Sequence, residues 1–232
     1  MKEFYVKLLF AFIFIFPVLS LQAQDWPNLA RYEAENEKLG LPRKDEVRIV
    51  FMGNSITEGW LNVDSNFFKG RDYINRGISG QTTPQMLLRF RSDVIELQPK
   101  VVVILAGTND IAGNTGPMTL KMIEGNIMSM CELARANNIG VVLCSVLPAY
   151  DYGWRKGIHP AEKIFALNKW IKNYADENDF VYVDYYSSMV DERKGLKAEF
   201  TEDEVHPNLA GYKIMEPLVE QGIKSALNKI IR

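Results

Sequence analysis

Three short stretches carry residues that could perform acyl-transfer chemistry together: Gly53-Asn54-Ser55, Gly107-Thr108-Asn109-Asp110 and Asp203-Glu204-Val205-His206-Pro207. A serine hydroxyl is a poor nucleophile until a base takes its proton, and imidazole is the side chain suited to that task near neutral pH. The chain holds 2 histidines. His159, in Lys156-Gly157-Ile158-His159-Pro160, has no acid three residues before it, whereas His206 has Asp203 there. An acid so placed in a tight turn can hold one ring nitrogen and leave the other facing a serine. The pattern therefore selects Ser55 as nucleophile, His206 as base and Asp203 as its orienter. Taken singly, each piece is ordinary: a serine after a strand usually caps a helix, and Asp-x-x-His and glycine-rich loops are usually turns. The signal is their joint occurrence.

The fold must bring Ser55 to His206 across some 150 positions. The stretch 47–60, VRIVFMGNSITEGW, reads as a mostly apolar strand over 48–52 that turns through Gly53-Asn54-Ser55 into a helix-starting segment. Further strands are predicted at 73–75, 101–106, 141–146 and 181–184, and helices at about 84–96, 120–137, 160–177 and 209–229. A short surface helix is expected within 25–41, ended by Gly40 and Pro42. Runs such as VVVILA are apolar on both faces, as in a parallel sheet covered by helices on each side. Alternating strands and helices with short connections imply right-handed crossovers. The fold class expected is α/β, a three-layer α/β/α sandwich around a flavodoxin-like parallel five-stranded sheet. Polar loops follow the strands: 76–82 (RGISGQT), 107–110 (GTND) and 148–150 (PAY). In a parallel sheet these loops gather with Ser55 at the carboxyl edge, where ligands bind.

On these residues the sequence resembles the SGNH hydrolases, the GDSL-type esterase and lipase superfamily, and within it the branch of the platelet-activating-factor acetylhydrolase catalytic subunits. Gly53-Asn54-Ser55-Ile56 stands where that family has Gly-Asp-Ser-Leu, which implies Ser55 as nucleophile. Asn75-Arg76-Gly77-Ile78-Ser79-Gly80 matches a block whose last glycine supplies an oxyanion-hole N–H, implying Gly80. Gly107-Thr108-Asn109-Asp110 matches Gly-x-Asn-Asp and implies the Asn109 amide as a further donor beside the Ser55 N–H. Asp-x-x-His-Pro falls on Asp203, His206 and Pro207. The four blocks run from residue 48 to residue 207. Asn54 and Ile56 depart from the usual Asp and Leu; neither transfers a proton in the family scheme, and the departure bears on hydrogen bonding around Ser55. Gly-x-Ser-x-Gly, the elbow of the α/β-hydrolases, is absent. The resemblance implies a carboxylic ester hydrolase working through an acyl-enzyme, with no cofactor and no metal; neither histidine has metal-binding spacing.

Composition sets the frame around this site. With 232 residues, 47% of them apolar, and no internal repeat or linker, one domain over 24–232 is expected. A net charge of −2 offers no basic face for nucleic acid. Lys2 and Lys7 precede an apolar run from Leu8 to Leu19, and Leu21-Gln22-Ala23 offers a cleavage site, so residues 1–23 read as a secretory signal peptide. An uncleaved anchor is the alternative, although the run falls short of the roughly 18 apolar residues of a span. The expected location is exported, periplasmic or extracellular, with no stable membrane insertion after signal cleavage. Cys131 and Cys144 could pair in an exported protein, yet both lie in apolar patterns where cysteine serves as a small buried hydrophobe. Nothing in the sequence sets an oligomeric state.

The loop Tyr150-Asp151-Tyr152-Gly153-Trp154-Arg155 should overhang the edge that carries Ser55. Its rings, Tyr150, Tyr152 and Trp154, either contact substrate or pack the loop down. Export and aromatic rings near the site favour short-chain, acetyl-type esters on carbohydrates as the small-molecule or glycan substrate. A lipid or lysophospholipid esterase is the alternative. Two readings of other classes are a glycan-binding module without catalysis and a flavodoxin-like binder of phosphate or flavin, cradled by 77–83. The first conflicts with an intact Ser55, Asp203 and His206, and the second has no use for His206.

Overall fold

A computed structural model of the chain describes residues 24–230. The signal-peptide reading falls on 1–23, outside the described residues. The apolar runs form five strands: β1 (Ile49–Gly53), β2 (Tyr73–Gly77), β3 (Val101–Leu105), β4 (Gly140–Cys144) and β5 (Val181–Val183). All neighbours pair in parallel, in the order β2-β1-β3-β4-β5. Gly53 is in register with both Gly77 and Leu105, so β2, β1 and β3 end flush and open their loops at one level.

Because side chains alternate along a strand, each strand feeds both layers. Val50, Met52, Val102, Ile104, Val141 and Leu143 pack on one side of the sheet. They meet α3 (Thr83–Phe90), α5 (Leu120–Ala136) and α6 (Ala161–Glu177) through residues such as Met86, Ile127 and Leu167. Ile49, Phe51, Val103, Val142 and Cys144 pack on the other. There they meet α2 (Ser55–Val63) and α8 (Leu209–Ile230), through Trp60, Tyr212 and Met215. Shorter helices are α1 (Glu33–Leu39), α4 (Thr108–Ala112) and α7 (Tyr186–Met189). The three-layer expectation holds, with a five-stranded parallel sheet between helices.

Four details differ from the sequence reading or extend it. The single helix expected at 84–96 is α3 followed by a π-helical turn, Arg91–Ile95. There Arg89 and Asp93 form a fully buried ion pair at 2.9 Å. β2 runs two residues beyond 75, because the polar residues Asn75 and Arg76 are themselves buried at the strand end. α2 lies so close to the sheet that a Cβ on Gly77 would sit 2.1 Å from the Glu58 amide nitrogen. Both cysteines are free; Cys131 and Cys144 belong to core clusters on opposite faces of the sheet, which rules out their pairing. Burial pushes both thiols up. No helix among the described residues is long and apolar enough to cross a membrane.

Candidate active site

Ser55 is the first residue of α2, directly after β1. Asn54 caps the helix, its side-chain oxygen accepting the Ile56 N–H at 3.0 Å. Asparagine in place of the family's aspartate thus keeps the acceptor that a helix N-terminus needs. The Gly53 carbonyl, one residue further back, takes a hydrogen bond from the buried Arg89 at 3.0 Å. The serine therefore sits on a stiff junction of strand and helix.

His206 and Asp203 come from a turn just before α8. An antiparallel bridge between Thr201 and Pro207 closes that turn, and Glu204 adopts a left-handed φ of 66° at its tip. α8 docks on α2: Tyr212 donates to the Ile56 carbonyl at 2.8 Å and stacks on Trp60 with ring centroids 5.1 Å apart. This docking spans 156 residues of sequence and brings the imidazole to the serine. Ser55 Oγ lies 2.8 Å from His206 Nε2, and His206 Nδ1 lies 2.6 Å from Asp203 Oδ2. The other carboxylate oxygen accepts the backbone N–H groups of Val205 and His206 at 3.0 and 2.7 Å. Partial burial pushes the Asp203 carboxyl up, but the hydrogen bonds from His206 and Val205 outweigh it and hold the group below the usual carboxylate range.

Facing this line across the cleft is the loop after β2. The Gln81 N–H bonds the Ile78 carbonyl at 3.3 Å, closing a β-turn of residues 78–81. Of its two central residues only Gly80 has a positive φ, of 77°, which makes the turn type II and calls for glycine there. Asn109 is buried on α4, and its side-chain amide gives one hydrogen to the Gln81 carbonyl at 3.0 Å, leaving a second hydrogen on the same nitrogen. Its neighbour Asp110 accepts both the N–H and the hydroxyl of Thr83, at 2.9 and 2.5 Å, on one oxygen. Its other oxygen is buried with no hydrogen-bond partner among the described residues. Burial pushes the Asp110 carboxyl up to about 6 against the pull of those Thr83 bonds.

A cleft of about 360 Å³ joins these parts, lined by Ser55, Ser79, Gly80, Asn109, Asn114, Trp154 and His206. Of the three aromatic residues predicted to contact substrate, only Trp154 lies there. Its exposed ring is 6.2 Å from the His206 ring, and its indole N–H donates to Asn114 at 3.1 Å. Tyr152 is a core residue, fully buried with its hydroxyl 2.9 Å from that of Thr108, so it anchors the loop and does not line the cleft. Tyr150 is exposed, but its neighbours are His159 and Arg193, not the cleft. Sequence reasoning missed Asn114, which donates to the Gly80 carbonyl at 3.2 Å and so links Trp154 to the turn. No local motif marks it, since only the fold brings the segment after α4 over residue 80.

A parallel five-stranded sheet in this order, with hydroxyl, imidazole and carboxylate aligned at its carboxyl edge, defines a protein of the SGNH hydrolase superfamily. The chain belongs to the GDSL-like Lipase/Acylhydrolase family, whose model matches residues 51–214. It is thus a carboxylic ester hydrolase by family. A crystal structure of a GDSL-like lipase from Bacteroides thetaiotaomicron VPI-5482 superposes with a TM-score of 0.84 at 53% identity, covering 86% of this chain and 98% of that one. Esterase TesA of Pseudomonas aeruginosa is 28% identical over 68% of this chain and 75% of its own length. The acetylxylan esterase of Geobacillus stearothermophilus is 26% identical over 61% of this chain and 67% of its own. A lipoprotein of Bacillus subtilis, YqeF, is 36% identical over 96 residues, and the match spans about two-fifths of its length.

Proposed function

We propose that the chain is an exported serine esterase that removes short acyl groups, acetyl above all, from carbohydrates. The observation that carries the catalytic part is the unbroken line Ser55 Oγ to His206 Nε2 at 2.8 Å and His206 Nδ1 to Asp203 at 2.6 Å. His206 takes the proton as Ser55 Oγ attacks the ester carbonyl, and Asp203 fixes the ring and stabilises the imidazolium that forms. The tetrahedral oxyanion is received by the N–H groups of Ser55 and Gly80 and by the second amide hydrogen of Asn109. His206 then protonates the departing alcohol. Water enters by the same base, attacks the acyl-enzyme and frees Ser55. No step needs a cofactor or a metal ion.

The lining of the cleft supports a small acyl group and a polar alcohol. Around Ser55 stand glycine, serine and two asparagine side chains, and the one large apolar surface is the exposed indole of Trp154. Such a rim offers amide hydrogen bonds and one stacking face to a sugar, and little apolar wall for a long acyl chain. That favours carbohydrate over lysophospholipid esters. The acetylxylan esterase among its relatives points the same way. Export rests on Lys2, Lys7 and the apolar run that follows, with the lipoprotein YqeF as a relative. Acetate release from acetylated oligosaccharides, with none of comparable rate from lysophospholipids, is the expected outcome of a substrate panel. The reverse preference overturns the carbohydrate reading.

A further inference from the structure

Resting on the esterase reading above, we infer that Glu58 is a positioning residue for the oxyanion hole: its carboxylate sets the orientation of the Ser79–Gly80 peptide, whose N–H is the donor. Type I and type II turns differ by a flip of the peptide between their two central residues. In the 78–81 turn that peptide is Ser79–Gly80, so the turn type decides whether the Gly80 N–H faces the cleft. Glu58 lies one turn of α2 beyond Ser55 and accepts the Ser79 backbone N–H at 2.8 Å and the Ser79 hydroxyl with the same oxygen. Its other oxygen receives Arg31 at 3.3 Å. Partial burial pushes the Glu58 carboxyl up, but the Ser79 and Arg31 bonds outweigh it and keep the group below its ordinary range.

The turn is held on both sides of the critical peptide. Glu58 grips Ser79 before it, and Asn114 donates to the Gly80 carbonyl after it, at 3.2 Å. Gln81 is fixed independently, by Arg89 at 2.6 Å and by the Pro27 carbonyl at 2.8 Å. Ser79 and Gly80 are themselves exposed, so packing does not hold them. Among the described residues, Ser79 hydrogen-bonds to Glu58 alone. Glu58 and Ser55 share one short helix, and the same rigid element therefore aligns the nucleophile and the donor peptide.

The test compares Glu58→Ala, Glu58→Gln and Ser79→Ala with the full chain, on p-nitrophenyl acetate and with phenylboronic acid as a tetrahedral oxyanion mimic. Glu58→Ala is expected to lower kcat by about 10–100-fold, the cost of a misplaced group, with KM within about two-fold. Inhibition by the boronic acid weakens in step, while the pH profile of activity stays put. Glu58→Gln recovers most of the loss, because its amide oxygen still accepts the Ser79 N–H. Ser79→Ala, which keeps that N–H, loses less than Glu58→Ala. Should Glu58→Ala fail to fold, Glu58→Asp, one methylene short of Ser79, carries the same expectations. A kcat near wild type, or a loss of kcat with unchanged boronic acid affinity, overturns the assignment. Ser55→Ala run alongside separates the two levels. An active Ser55→Ala removes the esterase reading, whereas an inactive one beside a fully active Glu58→Ala removes only the role of Glu58.

Discussion

Asp203 grips His206 twice: Oδ2 meets the ring at Nδ1, 2.6 Å away, while Oδ1 accepts the backbone N–H of the same residue at 2.7 Å. One carboxylate thereby fixes both the ring's rotation and the turn that carries it, and it reserves Nε2 for Ser55. Asp203→Asn keeps the shape but can present an N–H to Nδ1, which favours the wrong tautomer. We expect kcat to fall by about 10³–10⁴-fold with the melting temperature nearly unchanged. Steady-state kinetics beside a thermal melt checks this; a variant with near wild-type turnover would contradict the role.

On the proposed mechanism, Asn109→Ala removes one of three donors from the oxyanion and leaves Ser55, His206 and Asp203 in place. The expected loss is about 10²–10³-fold in kcat with KM little changed. The Gln81 carbonyl also loses its partner, so the melt should drop slightly, by about 1 kcal/mol of stability. A rise in KM in place of a fall in kcat would move Asn109 from the transition state to ground-state binding.

Trp154 is the substrate platform in this account and Tyr152 is its support. Trp154→Ala should raise KM for acetylated oligosaccharides by about 3–10-fold, the worth of one aromatic stack, and hardly alter hydrolysis of p-nitrophenyl acetate. Tyr152→Phe removes only the hydroxyl contact with Thr108. It should lower stability by about 1 kcal/mol and leave KM alone.

Asp110 makes a prediction in pH. Burial raises its folded value to about 6, above the ordinary 3.8, so the native state holds its proton more tightly than the unfolded chain. Between those two values the unfolded chain ionises first, and stability falls as pH rises by roughly 3 kcal/mol at most. Below that window both states are protonated, and above it both are ionised, so the slope disappears. Asp110→Asn, which cannot ionise, should flatten the denaturation midpoint between about pH 4 and 6. An unchanged slope in the variant would assign it to other groups.

The parts of this molecule that could be read from the sequence are those where chemistry is written in a short span. β1 and β3 show as unbroken apolar runs because both faces are buried, and Ser55, Asp203 and His206 show because an acid three residues before a histidine is an unusual pairing beside a strand-ending serine. What escaped depends on contacts between distant segments. The end of β2 was hidden by Arg76 and Gly77, which read as the start of a polar loop until the fold pairs them with Met52 and Gly53 of β1. The π turn after α3 follows no propensity and accompanies the buried Arg89–Asp93 pair. The fate of the aromatic loop turned on which ring faces inward, and an isolated bridge between Tyr152 and Arg155 decides it by sending Tyr152 into the core. Asn114 and Glu58 touch the 79–80 turn only because α4 ends and α2 begins beside it.

The central claim is that Ser55 carries the acyl group between two half-reactions. Rapid quenching of the enzyme with p-nitrophenyl acetate, followed by peptide mass mapping, tests it directly. The account predicts a burst of p-nitrophenol and one added acetyl on the peptide containing Ser55, absent in Ser55→Ala and long-lived in His206→Ala if any forms. Turnover with no acetyl on that peptide, or an acetyl on another residue whose loss abolishes turnover, would contradict it.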